Sequence, residues 1–313
     1  TVREAAVAGL FYPAAAKDLT AQLDTLLVKA ERVPLGKLRG LVCPHAGYEY
    51  SGPTAAIAYK QVAAGDFDTV VVLAPSHYAD FEGVSVADVE AFTTPLGKIP
   101  LSSQAAKLAA VPPFCGHPKC DVSRPSWWRQ ASMQVPPFGE DTPDTWEHSL
   151  EVQLPFLQTV LKDFRLIPAV FGRADAAQAA DALAPFVDDR TLVIASSDLS
   201  HFYPADVADQ LDASCVRAVC DLDVKWMQHE EACGKLPVLT LMHLAIQKGW
   251  KTRLLDIRNS GAATGDCSNV VGYAAVAFFE GDGPSEYERA SAQKLTQEDQ
   301  KFLLDLARKS LNK

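Results

Sequence analysis

No apolar run in this sequence approaches the ~20 residues that span a bilayer, so no membrane helix is expected. Basic residues are outnumbered: 29 Lys and Arg face 39 Asp and Glu, for a net charge of −10. Nucleic-acid surfaces rest on clustered Lys and Arg, so neither a dominant nucleic-acid face nor a polybasic membrane patch is expected. An acidic balance is ordinary for a cytoplasmic protein, the location we expect. The opening Thr1-Val2-Arg3-Glu4 lacks the apolar core of a signal peptide. The absence of an initiating Met leaves a removed leader open. Cysteine is sparse, seven thiols in 313 residues. That odd number in a long chain is unlike the dense frameworks of small secreted domains. Free thiols in a reducing compartment are expected, with a Cys115–Cys120 link as the pairing left open. Gly47, Gly52 and Gly83 form no phosphate-loop pattern. Ser196-Ser197 lacks the Gly-flanked turn of a hydrolase nucleophile.

What is present is a core. The chain is 48% hydrophobic, enough to bury a large interior. Short apolar runs such as Val70-Val71-Val72-Leu73 and Thr191-Leu192-Val193-Ile194-Ala195 suit strands buried on both faces. Between them lie helical stripes at 17–30, 55–64, 150–161, 176–186, 205–220 and 236–248. The alternation predicts an α/β layered fold with a mainly parallel sheet. Residues 84–99 read as a strand pair, which would make the sheet mixed. Residues 112–145 are rich in Pro, Gly, Ser and Trp and have no period; they read as an ordered insertion or lid. Residues 1–280 are expected to form one domain and 281–294 a linker. Thr296-Gln297-Glu298-Asp299 resembles a capping box opening a helix over 295–313.

Three strand candidates end in polar clusters that contain histidine: Cys43-Pro44-His45, Pro75-Ser76-His77 and Ser196-Ser197-Asp198-Leu199-Ser200-His201. In open α/β sheets, sites form at the carboxyl ends of strands. Adjacent strands would gather three of the chain's seven histidines and one aspartate at one edge. Neutral imidazole ligates iron, zinc and copper, and two His with one anionic ligand is the arrangement of non-heme iron sites. Asp198 or a thiolate can supply the anion. Cys233 stands at a helix break, free to ligate or react, although a lone Cys reads equally as a buried structural thiol. Asp198 reads equally as a cap. His148 opens a helix, where it would be a ligand, a proton shuttle or an outer residue, sharing a face with Glu151. His229 and His243 read as structural. The stretch from Cys115 to Cys120 lacks a second ligand pair at zinc-site spacing. Lys235 and Arg258 are candidate partners for an anionic ligand.

Taken together, Cys43-Pro44-His45-Ala46-Gly47-Tyr48, Ala74-Pro75-Ser76-His77, Glu147-His148-Ser149, Ser196 to His201, and Ala232-Cys233-Gly234-Lys235-Leu236-Pro237 resemble the Memo family. That family is also known as AmmeMemoRadiSam system protein B. The resemblance runs from about Val2 to Phe279. It implies similarity to class III extradiol dioxygenases, the LigB-like group, and so a three-layer α/β/α sandwich with a mixed, mainly parallel central sheet. It maps the metal ligands onto His45, His77 and Cys233, where the dioxygenases carry two His and a Glu. It maps the acid/base onto His201, oriented by Asp198, with His148 lining the pocket. A non-heme metal oxidoreductase is implied, holding Fe(II) foremost, then Cu or Zn. Cysteine in place of the glutamate departs from ring-cleaving chemistry. A binding module for a small aromatic or peptide ligand is the other reading. The tail resembles the first helix of an AMMECR-type domain, which implies a truncated fusion and a radical-SAM partner.

Overall fold

The computed structural model describes residues 1–281. Its main sheet is built from β1 (Lys37–Cys43), β2 (Thr69–Pro75), β3 (Val84–Ser85), β4 (Phe114–Cys115), β5 (Arg165–Phe171), β6 (Thr191–Ser196), β7 (His201–Tyr203), β8 (Lys251–Asn259) and β9 (Val270–Glu280). The strands run in the order β7-β9-β1-β6-β2-β5-β3-β4, with β8 on the other side of β9. The four central strands, β1, β6, β2 and β5, are mutually parallel. β9 is antiparallel to β1, and β3 is antiparallel to β5. The sheet is therefore mixed around a parallel centre, as the alternating sequence pattern predicts.

The apolar runs are continuous because both faces are covered. Val70, Val72 and Ala74 face one core, while Val71 and Leu73 face the other. Leu192 and Ile194 join the first core, Val193 and Ala195 the second. Each such buried side chain contributes about 1.5–3 kcal/mol relative to exposure. Helices α1 (Ala16–Lys29), α2 (Tyr48–Tyr59), α3 (His148–Glu151) and α4 (Leu154–Leu161) cover the first face. α5 (Ala176–Leu183), α6 (Ala205–Cys220) and α7 (Lys235–Lys248) cover the second. The result is a three-layer α/β/α sandwich.

Several boundaries differ from the sequence reading. The second helix begins at Tyr48 rather than at 55. Gly52 and Pro53, breakers in sequence terms, lie inside it. A Cβ at Gly52 would lie 2.9 Å from Leu26 Cδ1, the movable end of a half-buried side chain of α1, so the two helices pack closely there. The expected helix over 150–161 is two pieces, with Gln153 at the joint and Pro155 restarting the second. The 84–99 pair is divided: β3 joins the main sheet, while Ala91–Thr94 and Gly97–Pro100 form a hairpin that pairs with Val2–Arg3. Cys115 and Cys120 are free thiols bonded to the Val84 and Asp141 carbonyls, so the link left open does not form. No helix among the described residues is long and apolar enough to cross a membrane. The linker after Gly281 and the helix over 295–313 lie outside the described residues.

Candidate metal centre

β1, β2 and β6 are parallel neighbours, so their carboxyl ends share one edge of the sheet. The chain leaves β1 through Pro44 into His45, and leaves β2 through Ser76 into His77. It leaves β6 through Ser197 into Asp198. The two rings meet edge-on with centroids 5.1 Å apart.

Cys233 arrives from another part of the fold. Its turn precedes α7 and packs onto the end of β6. Gly234 permits the approach: a Cβ there would lie 2.2 Å from the Ser196 carbonyl oxygen. The Gly234 N–H donates to Ser197 Oγ at 2.9 Å, and the Ser197 N–H donates to the Cys43 carbonyl at 2.9 Å. The Asp198 N–H points at Cys233 Sγ at 3.2 Å, and the Cys233 N–H returns to the Asp198 carbonyl at 3.3 Å. Cys233 Sγ then lies 3.1 Å from His45 Nε2. Donor atoms of His45, His77 and Cys233 all fall within 4.8 Å of one another.

The electrostatics favour an ionised thiol and a charged ring. Burial opposes ionisation of Cys233, but His45 and His77 outweigh it and pull the thiol down to about 7. Burial likewise opposes protonation of His77, but Glu147 and Cys233 push it up to about 10. Glu147 is 1% exposed at its side chain. Burial raises it, yet the His77 charge and hydrogen bonds hold it far below the usual carboxylate range. Burial drives His148 well below its usual value. Burial also lifts Asp198 to about 6, against a hydrogen bond from the His45 backbone.

The other expected site residues are placed in different capacities. Asp198 Oδ1 accepts from the His45 N–H at 2.7 Å rather than from the His201 ring. His201 Nδ1 instead meets the Leu199 carbonyl at 2.8 Å. The His148 ring lies 4.6 Å from His77 and 4.6 Å from Phe11, and its Nδ1 meets the Tyr78 hydroxyl at 3.1 Å. Glu151 does not join His148. It turns inward to Arg3, the Ala6 and Val7 N–H groups and the Tyr12 hydroxyl, anchoring the N-terminal segment. The Arg258 guanidinium is forked onto Asp256. Lys235 lines a cavity of about 290 Å³ beside Cys233, together with Ser76 and Arg173. The 112–145 insertion sets Trp127 against Phe11 and Tyr78, which in turn pack on His148.

Glu147, Ser196 and Gln153 were not singled out as site residues from the sequence. Glu147 shows one local signal, its place as N-cap of α3, where it accepts from the Ser149 N–H. Gln153 shows none beyond a polar residue in an apolar stretch.

Comparison with known proteins gives a consistent result. A family model described as Memo-like protein matches residues 3–277. A MEMO1 family protein of Methanosarcina acetivorans is 34% identical over 290 residues, covering 88% of this chain and 98% of the relative. One from Methanopyrus kandleri is 33% identical over 306 residues, covering 89% and 99%. One from Nitrosopumilus maritimus is 28% identical over 296 residues, covering 89% and 100%.

Proposed function

The chain belongs to the Memo family, and on that premise we propose that it is a metal-binding oxidoreductase with His45, His77 and Cys233 as the ligands. The observation that carries this reading is the convergence of two imidazoles and one thiol within 4.8 Å at the carboxyl edge of the sheet. The spacing fits a metal. Bonds of ~2.0–2.1 Å to nitrogen and ~2.3 Å to sulfur require the donors of one ion to lie a few ångströms apart, as His45 Nε2 and Cys233 Sγ do at 3.1 Å. The resemblance to the dioxygenases favours Fe(II) foremost, and the thiolate in place of their carboxylate widens acceptance toward Cu and Zn. When bound, such a metal supplies Lewis acidity and, for iron or copper, one-electron redox capacity.

The protein's own groups do the rest. His201 directs Nδ1 at a carbonyl, which only accepts, so its Nε2 is left to exchange a proton. Asp198, buried beside the ligands, holds the His45 backbone. His148, kept neutral by burial, lines the pocket against Phe11 and Tyr78. The sequence resemblance to class III extradiol dioxygenases supports oxygen chemistry on a phenolic compound. His45→Ala with His77→Ala should abolish stoichiometric iron or copper binding in anaerobically purified protein, measured by elemental analysis. Unchanged metal content overturns the assignment.

One observation favours a second reading, a ligand-binding module without turnover. The cavity beside Cys233 is lined by Lys235, a cation suited to an anionic ligand, while its Arg173 is already paired with Asp80 and Glu82. Oxygen consumption with catechols and ferrous iron separates the two. Loss of uptake in His201→Asn supports the enzyme; tight ligand binding with no uptake supports the module.

A further inference from the structure

The segment from Glu147 to Gln153 stands behind both histidines, and its hydrogen bonds can be followed donor by donor. The Pro44 carbonyl oxygen can only accept, and Gln153 Nε2 lies 2.9 Å from it, so that end of the side chain is the NH₂. The other end, Oε1, accepts from the Tyr59 hydroxyl at 2.7 Å. The second Nε2 hydrogen goes to Ser196 Oγ at 2.8 Å. Ser196 Oγ has one hydrogen, and the Ser149 carbonyl at 2.7 Å takes it. Towards His45 Nδ1, at 2.9 Å, the hydroxyl therefore has a lone pair to offer and no proton. His45 Nδ1 must therefore carry a hydrogen, while Nε2 faces Cys233 Sγ at 3.1 Å.

His77 is set by the same segment through a different group. Glu147 Oε1 accepts the Ser149 N–H at 3.0 Å, and Oε2 accepts the His77 N–H at 2.6 Å. Both oxygens are thus committed as acceptors by backbone donors, whose roles are invariant. His77 Nδ1, 2.8 Å from Oε1, meets an acceptor and carries hydrogen. Its Nε2 is left for the donor group shared with His45 and Cys233. Glu147 also falls in a second possible ligand group with His77 and His148. Three donors on its two oxygens argue that it supports a ligand rather than acting as one.

We propose that residues 147–153 form a tautomer-setting frame, in which Glu147 and the Gln153–Ser196 pair are positioning residues that turn the Nε2 atoms of His77 and His45 to a metal. The two supports differ: a carboxylate stands behind His77 and a neutral hydroxyl behind His45. His77 is therefore the stronger donor, and its support is the more costly to remove. This inference rests on the metal reading for its purpose, but its geometry can be tested without metal.

Nitrogen NMR of the histidine rings is the test. In metal-free protein at pH 8.5, His45 Nδ1 should carry a hydrogen, whether or not Nε2 is also protonated beside the Cys233 sulfur, and Ser196→Ala should move the ring to the form protonated at Nε2 alone. In the zinc-loaded protein both rings should coordinate through Nε2. Removal of such outer partners lowers metal affinity 10–100-fold in known sites. Glu147→Gln should fall in that range by competition with a chelator, and Ser196→Ala should lose less. Circular dichroism identifies any variant that has not folded, and the wild-type spectrum decides the tautomer by itself. A wild-type His45 protonated at Nε2 alone overturns the frame, as does wild-type affinity in both variants. Failure of the wild type to bind any metal overturns the metal reading instead, and leaves the tautomer result standing.

Discussion

Cys233 and His77 form a charge pair whose two members titrate in opposite senses. The thiol is drawn below its usual 9 to about 7, because two rings face it despite its burial. The ring is drawn above 6.5 to about 10, because Glu147 and Cys233 face it despite its burial. A depressed thiol value adds stability that is full above 9 and is lost as pH falls through 7. A raised histidine value adds stability that is full below 6.5 and is lost as pH rises through 10. The pair therefore exists between about pH 7 and 10 in metal-free protein. Thiolate absorbance, taken as the difference between wild type and Cys233→Ser, should rise with a midpoint near 7. Replacing His45 and His77 by Ala should move that midpoint above 9, because burial is then unopposed. A wild-type midpoint above 9 would show that the rings do not outweigh burial at the sulfur.

At the scale of elements, one cation gathers much of the insertion. Arg124 is forked onto Asp141, donates to the Pro136 and Pro137 carbonyls, and lies over the rings of Trp128, Phe138 and Trp146. Both charged side chains are nearly buried, at 7% and 6% exposure. Removing one partner of a buried pair costs about 3–5 kcal/mol, because the other charge is left uncompensated. Arg124→Ala should accordingly speed proteolytic cleavage within 112–145 at least tenfold while the strands stay protected from hydrogen exchange. An unchanged cleavage rate would mean that the aromatic contacts hold the insertion alone. Elements of this kind were only partly legible in the sequence. His45 and His77 were legible because each follows a doubly buried strand, where an apolar run stops abruptly at a polar residue. Cys233 was not legible in this way, since the turn before α7 reaches the strand ends by tertiary packing at Gly234. Its part came from resemblance. Glu147 and Gln153 were hidden for another reason: their partners lie 70 and 43 residues away, at His77 and Ser196. The alternating pattern carried the layer order, but the start of α2 was misplaced, because Gly52 and Pro53 read as breakers and yet lie inside the helix.

For the whole molecule, ligands from β1, β2 and the turn before α7 mean that a bound metal would tie distant parts of one domain together. A ligand that binds only the folded state stabilises it by about 2.7 kcal/mol at a hundredfold excess over Kd. Wild-type protein should gain that much against denaturant with zinc, and His45→Ala with His77→Ala should gain nothing. Equal gains in both would place the metal elsewhere. The pairing of β1 with β9 has a further consequence, in time rather than in space. β1 ends at Cys43, and its antiparallel neighbour begins at Val270. The ribosome must add 269 − 43 = 226 residues between them. At ~5–20 residues per second that takes roughly 10–45 s. Throughout this interval one edge of β1, the strand that leads into His45, lacks its partner, and for most of it Cys233 has not yet been made. Any metal loading through these three residues would therefore follow synthesis, and one edge of β1 stays open during much of the chain's own translation.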